Sequence, residues 1–178
     1  MSSSHLLALL PPPALAEQVV AFRAAHGIRD AAATPHVTVK ARSGLGEALA
    51  WVPQARAVAA QVSSVALSIA GPRLFRNGTA LYLQVNSPEA VGLHLALLAA
   101  LNPAERFGYE GPGMMPHLSV ALGRRGVDLR ALLAAAQATF ADLEAQPLTF
   151  TATELVWLRK AGPGAVYLPV EAWPLGGR

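Results

Sequence analysis

Apolar positions along the chain follow two periods, and the switches between them mark the elements. Residues 6–10 are an unbroken apolar run stopped by Pro11-Pro12-Pro13, a short buried strand. Over residues 13–26, Leu15, Val19, Phe22 and His26 fall at helical spacing, and Gly27 is a natural stop. Alternation returns over 35–40, a strand, followed by a loop over 41–46 with Gly44 and Gly46. A weaker helix covers about 53–61. Residues 65–70 set Val65, Leu67 and Ile69 against Ala66, Ser68 and Ala70, until Gly71-Pro72 breaks the pattern. Asn77-Gly78 signals a turn, and Leu81, Leu83 and Val85 then alternate with Tyr82 and Gln84, so the two runs read as an antiparallel pair. Ser87-Pro88 opens a helix that ends at Asn102-Pro103. A Gly/Pro-rich loop covers 103–115, and a strand follows over 116–122. Asp128 caps a helix with Leu129, Leu132, Leu133, Ala136, Phe140 and Leu143 on one face. A final strand pair, 148–158 and 165–170, flanks Gly162-Pro163-Gly164. The order is β-α-β-α-β-β-α-β-α-β-β, in two halves of similar pattern that meet near residue 87.

Composition narrows the chemistry. The 178 residues, 53% apolar and 14% charged, suit one domain over 1–178 with a core that needs no staple. There is no cysteine, which excludes disulfides, cysteine-ligated metals and thiol nucleophiles. No run approaches the ~18 apolar residues of a membrane span, and the start lacks a basic leader, so the chain reads as cytoplasmic with no membrane partner. Fourteen cations against eleven anions leave a net charge of +3. That suits a phosphate-bearing ligand and gives no wide surface for DNA.

One phrase occurs twice. Pro35-His36-Val37-Thr38-Val39 returns 81 residues later as Pro116-His117-Leu118-Ser119-Val120. Side chains two apart on a strand share a face. His36, Thr38 and Lys40 then point one way, and His117 and Ser119 do the same on their strand, while Val37, Val39, Leu118, Val120 and Leu122 are buried. If the strands lie close, two imidazoles and two hydroxyls converge. Imidazole titrates near pH ~6.5, so one histidine serves as base and the other as acid, without a metal or other cofactor. The hydroxyls donate to phosphate oxygens whose charge grows in the transition state. A metal site is disfavoured because hydroxyls accompany the imidazoles, with no carboxylate or third histidine. His5, beside the start, His26, at a helix end, and His94, on an apolar helix face, read as structural.

With its His36-Val37-Thr38-Val39 and His117-Leu118-Ser119-Val120 motifs, the chain resembles the two-histidine (2H) phosphoesterase superfamily, the LigT-like or 2'-5' RNA ligase group. The resemblance covers nearly the whole chain. It implies an α+β fold of two pseudo-symmetric lobes, each an antiparallel sheet with outer helices, and an active cleft between them. It implies His36, Thr38, His117 and Ser119 as catalytic residues. The implied activity is a cyclic phosphodiesterase acting on RNA or nucleotides with a 2',3'-cyclic phosphate and leaving a 2'-phosphate. The alternatives are 2'-5' RNA ligation and a non-catalytic RNA- or nucleotide-binding module. Many ligase-like members carry an arginine five residues after the second histidine; here that position is Leu122, with Arg124 and Arg125 beyond it.

The substrate side is read from position. Lys40, Arg42 and Arg124 are candidate cations for the phosphate, and Tyr82 lies on the polar face of a strand bordering the cleft. Phe107 and Tyr109 either stack a base or pack their loop. Arg73 and Arg76, near the hairpin turn, either meet an RNA backbone or are solvated turn charges, the second being favoured, and the three tryptophans read as core or edge residues. A site closed within one chain makes a monomer the expectation. Sequence does not decide which histidine is acid and which is base.

Overall fold

The computed structural model describes residues 2–176. The strands are β1 (Ser4–Leu9), β2 (Val37–Ala41), β3 (Val65–Leu74), β4 (Ala80–Asn86), β5 (His117–Leu122), β6 (Leu148–Ala152), β7 (Glu154–Lys160) and β8 (Tyr167–Pro174). The helices are α1 (Pro13–Ala25), α2 (Val52–Gln61), α3 (Pro88–Leu101), α4 (Leu129–Thr139) and α5 (Ala141–Ala145). Local chemistry explains their limits. The Ser87 hydroxyl accepts from the Ala90 amide at the start of α3, and Asn102 closes that helix in the left-handed region. Asp128 caps α4 by accepting from the Arg130 and Ala131 amides.

All eight strands form one antiparallel sheet in the order β6-β3-β4-β5-β2-β1-β7-β8. β2 and β5 pair at its middle. One half is thus β2-β1-β7-β8 and the other β5-β4-β3-β6, the pseudo-symmetric α+β arrangement expected. The sheet must curl. In a flat sheet β6 and β7, six places apart, would stand roughly 29 Å from each other at ~4.8 Å per strand. Yet only Thr153 separates them in sequence, a span of at most about 7 Å. The apolar stripe of each long helix closes over one face of this sheet. Leu15, Val19 and Phe22 of α1, Ala55 and Val58 of α2, and Leu93 and Leu97 of α3 join Val37, Leu83, Leu118 and Leu155 in the main core. A smaller cluster of Leu6, Ala8, Val156 and Leu158 forms separately.

Four expectations change. The run over 148–158 is two strands, because β6 extends β3 while β7 crosses to β1. β3 continues through Gly71-Pro72, where a register shift between Ile69 and Pro72 absorbs the proline. The helix after Asp128 breaks at Phe140, whose backbone leaves helical values as its ring enters the core. His5 is a buried residue of β1, held between the Trp51 and Trp157 rings and accepting from Trp157 Nε1. Trp51, Trp157 and Trp173, expected in the core or at its edge, are all buried.

Candidate active site

The repeated motifs meet at the centre of the sheet. Val37 pairs with Leu118, and antiparallel register then sets His36 opposite Ser119 and Thr38 opposite His117. Val37 and Leu118 are fully buried, while the four polar side chains are half-buried on the other face. They form a square with the imidazoles on one diagonal and the hydroxyls on the other. Residues directly across are ~5 Å apart and diagonal ones ~7–8 Å, a spacing that fits a phosphate group between them.

Both imidazoles are oriented the same way. His36 Nδ1 lies 2.7 Å from the Thr34 carbonyl and His117 Nδ1 lies 3.0 Å from the Met115 carbonyl. A carbonyl only accepts, so Nδ1 donates in each, and Nε2 of the neutral ring keeps its lone pair. Burial pushes the His36 imidazole below its ordinary value of 6.5; the charges of Arg23 and His117 act the same way, and the Thr34 bond opposes them.

A β-bulge falls at the last residue of each motif, Val39 and Val120. The β1–β2 register slips so that Leu7 pairs with Lys40 and Ala8 with Thr38, and the β4–β5 register slips so that Leu81 pairs with Ala121 and Tyr82 with Ser119. Strict alternation therefore fails four residues after each histidine. Two expectations fail with it. Lys40, expected beside Thr38, turns inward, where its Nζ donates to Glu110 Oε1, the Ser43 hydroxyl and the Ala41 and Ser43 carbonyls. The side chains of this Lys40–Glu110 pair are 0% and 1% exposed. Leu122, expected in the core, is 49% exposed and lines the cavity beside His36 and Ser119.

Aromatic rings flank the square. Phe75 and Tyr82 stack with centroids 4.2 Å apart, and the His117 ring stands edge-on to both, at 4.9 Å and 5.7 Å. Tyr167 approaches His36 at 6.3 Å. One cavity lies on the His36–Ser119 side, lined by Arg23, Asp30, Arg124 and Tyr167. Another lies on the Thr38–His117 side, lined by Phe75, Tyr109 and Met115. The loop before β5 is fastened from beneath. Glu110 takes the Lys40 ammonium, the Ser43 hydroxyl and the Phe107 amide. The buried His94 ring donates from Nδ1 to the Val39 carbonyl and accepts the Gly111 amide at Nε2. On that support Phe107 and Tyr109 stack at 5.6 Å, with Arg42 5.4 Å over Phe107.

Arg124 lines the His36 cavity but is paired with Asp30 at 2.8 Å. Arg73 makes a bidentate pair with Glu144. Three residues of this region were not anticipated. Arg23 stands one residue past Phe22 on the apolar stripe of α1, and a cation on such a stripe was the available signal. Phe75 lay beyond an expected strand break. Tyr167 sat in a strand with nothing to link it to His36.

The sequence matches the model of the 2'-5' RNA ligase superfamily over residues 11–164. The chain belongs to that superfamily. Membership places it among the 2H phosphoesterases and RNA ligases, an enzyme of phosphoester chemistry. Solved structures share the superfamily fold at low identity. E. coli LigT with 3'-AMP is 17% identical, with a TM-score of 0.62 and 99% of each chain covered. A crystal structure of a phosphoesterase is 16% identical, with a TM-score of 0.63, covering 98% of this chain and 99% of that one. A protein of Thermus thermophilus is 16% identical, with a TM-score of 0.61 over 98% of this chain and 99% of that one. No curated protein matches the sequence. Among the described residues no helix is long and apolar enough to cross a membrane.

Proposed function

We propose that this superfamily member is a metal-independent phosphodiesterase that opens 2',3'-cyclic phosphates on RNA ends or nucleotides and leaves a 2'-phosphate. The observation that carries the reading is the square of His36, Ser119, Thr38 and His117, with each imidazole fixed through Nδ1 so that Nε2 is left for chemistry. His36 is the base, because burial and neighbouring charge favour its neutral form. Its Nε2 takes a proton from water as the water oxygen bonds to phosphorus. The bond from phosphorus to O3' breaks, and His117 delivers a proton to that leaving oxygen. Thr38 and Ser119 donate to the non-bridging oxygens, where charge builds.

The substrate fits along the same face. Tyr109, stacked on Phe107 beneath Arg42, offers a ring for a base beside Thr38 and His117. Tyr82 backs His117, and Arg124 approaches from the other end. An open groove lined by Arg76, Arg124, Arg125 and Arg130 adjoins both cavities, sharing Phe75 with one and Arg124 with the other. It gives the rest of an RNA strand a path. That E. coli LigT has been crystallised with 3'-AMP and with ATP supports a nucleotide as the ligand. Both motifs come from one chain, so a monomer suffices. The second reading, 2'-5' ligation, rests on the superfamily itself and uses the same two histidines, with the 5'-hydroxyl of a second RNA end taking the place of water and O3' leaving as before.

The test is incubation with 2',3'-cyclic nucleotides and with a short RNA ending in a cyclic phosphate, in the presence of a chelator. Products are separated as 2'- and 3'-phosphates. A 2'-phosphate is expected. Joined RNA ends would favour ligation, and tight RNA binding with no product would favour the binding module.

A further inference from the structure

Arg23 is a buried charge whose hydrogen bonds all go to the main chain. It is 7% exposed, on the stripe of α1 that carries Val19 and Phe22 into the core. Buried guanidinium groups ordinarily sit against a carboxylate. Among the described residues none lies within ion-pair distance of Arg23, and Asp30, which lines the same cavity, is bound to Arg29 and Arg124. Arg23 instead grips three backbone carbonyls. Nε donates to Val120 at 2.9 Å, Nη2 to Ser119 at 2.8 Å and Nη1 to Ala33 at 2.7 Å. Those carbonyls belong to both motifs' surroundings. Ser119 and Val120 are the second motif itself. Ala33 precedes Thr34, whose carbonyl orients the His36 ring.

We propose that Arg23 is the positioning residue of the cleft, clamping the segment that orients His36 onto the strand that presents Ser119 and so fixing the two motifs at working distance. The fork of the guanidinium is what makes this possible, since one planar group reaches three acceptors at once. Its charge has a second effect. His36 is faced by Arg23 from α1, His117 from β5 and Tyr167 from β8, with Arg29, Asp30, Arg124 and Lys160 around the same cavity. Burial and the positive charge of Arg23 both disfavour the imidazolium. Arg23 thereby adds to the burial that favours the proton-accepting form of His36. The inference rests on the reading of His36 as the base.

The experiment compares full-length Arg23→Gln and Arg23→Lys with the parent after thermal unfolding has shown which are folded. The His36 ring proton is followed by NMR against pH, with His36→Gln identifying the signal. Turnover of 2',3'-cyclic CMP is followed against pH in parallel. In Arg23→Gln, His36 titrates at higher pH and the acid limb of kcat/KM moves up with it. In Arg23→Lys, which keeps the charge and loses the fork, the titration stays near the parent's while kcat falls by about 10²-fold, the cost of a misplaced group. A folded Arg23→Lys with the parent's kcat overturns the clamp, and a folded Arg23→Gln with His36 titrating as in the parent overturns its second, electrostatic effect. Should Arg23→Gln not fold, Arg23→Lys decides alone, and a kcat equal to the parent's overturns the proposal. A parent without turnover defeats the cyclic phosphodiesterase reading and leaves the NMR titration to judge Arg23 by itself.

Discussion

The Lys40–Glu110 pair lends itself to a quantitative test, because two opposed roles for Lys40 predict opposite results. Both side chains are buried, and Nζ has four acceptors within the protein. Removing one member of a buried pair leaves the other charge uncompensated, at a cost of about 3–5 kcal/mol. Lys40→Met leaves Glu110 with the Ser43 hydroxyl and the Phe107 amide, and Glu110→Gln leaves the ammonium with the Ala41 and Ser43 carbonyls. Both should therefore fall near the lower figure, about 3 kcal/mol. In a chain of this length that corresponds to a drop in Tm of roughly 6–12 °C. The double variant buries no charge and should lose less than either single. Urea unfolding read by the fluorescence of the buried Trp51, Trp157 and Trp173 gives the numbers. The pH dependence has a fixed sign. Burial would raise the Glu110 carboxyl, but the bonds from Lys40, Ser43 and the Phe107 amide outweigh it and hold it below 4.5. Its contribution is then complete above that value and lost as pH falls through the folded value, so the gap between parent and Glu110→Gln narrows in acid. Losses under about 1 kcal/mol, as for an exposed pair, or a double variant as poor as the sum of the singles, refute the reasoning. Abolished turnover at unchanged stability in Lys40→Met would return Lys40 to the phosphate.

Three further outcomes follow from the site. With His36 as base and its imidazole held below 6.5, the acid limb of kcat/KM should lie below that pH, and a limb above it would deny His36 the role. Phe75→Ala removes a ring stacked on Tyr82 and edge-on to His117, a contact worth about 0.5–1.5 kcal/mol; kcat should fall up to about tenfold with KM little changed. Arg125→Ala and Arg130→Ala should each weaken kcat/KM for RNA ending in a cyclic phosphate and lower its salt dependence by about one counterion. Cyclic mononucleotides, too short to reach the groove, should be turned over as before.

The square of the site was legible because it depends on a repeat and a period. Two Pro-His-aliphatic-hydroxyl-Val phrases on strands leave little freedom once the strands pair, and β2 and β5 do pair. What alternation could not show was where it stops. The bulges at Val39 and Val120 turn Lys40 inward and Leu122 outward, and nothing in residue type marks an extra residue in a ladder. The partition of the last three strands was hidden for a related reason. Residues 148–158 suit one continuous strand, and only the closing of a curled sheet sends β6 to one half and β7 to the other. Arg23 was hidden because its partners are main-chain carbonyls 10 to 97 residues away, which carry no side-chain signature.

The most direct test of the account uses an RNA ending in a 2',3'-cyclic phosphate, with single-turnover rates measured in chelator for the parent, His36→Ala, His117→Ala and the double variant. Acid–base contributions of this kind are worth about 10²–10⁴-fold each. The expected result is a 2'-phosphate product, losses of that size in both single variants, and a double variant little worse than either, because the two imidazoles act as one unit. Turnover that survives in both single variants would contradict it.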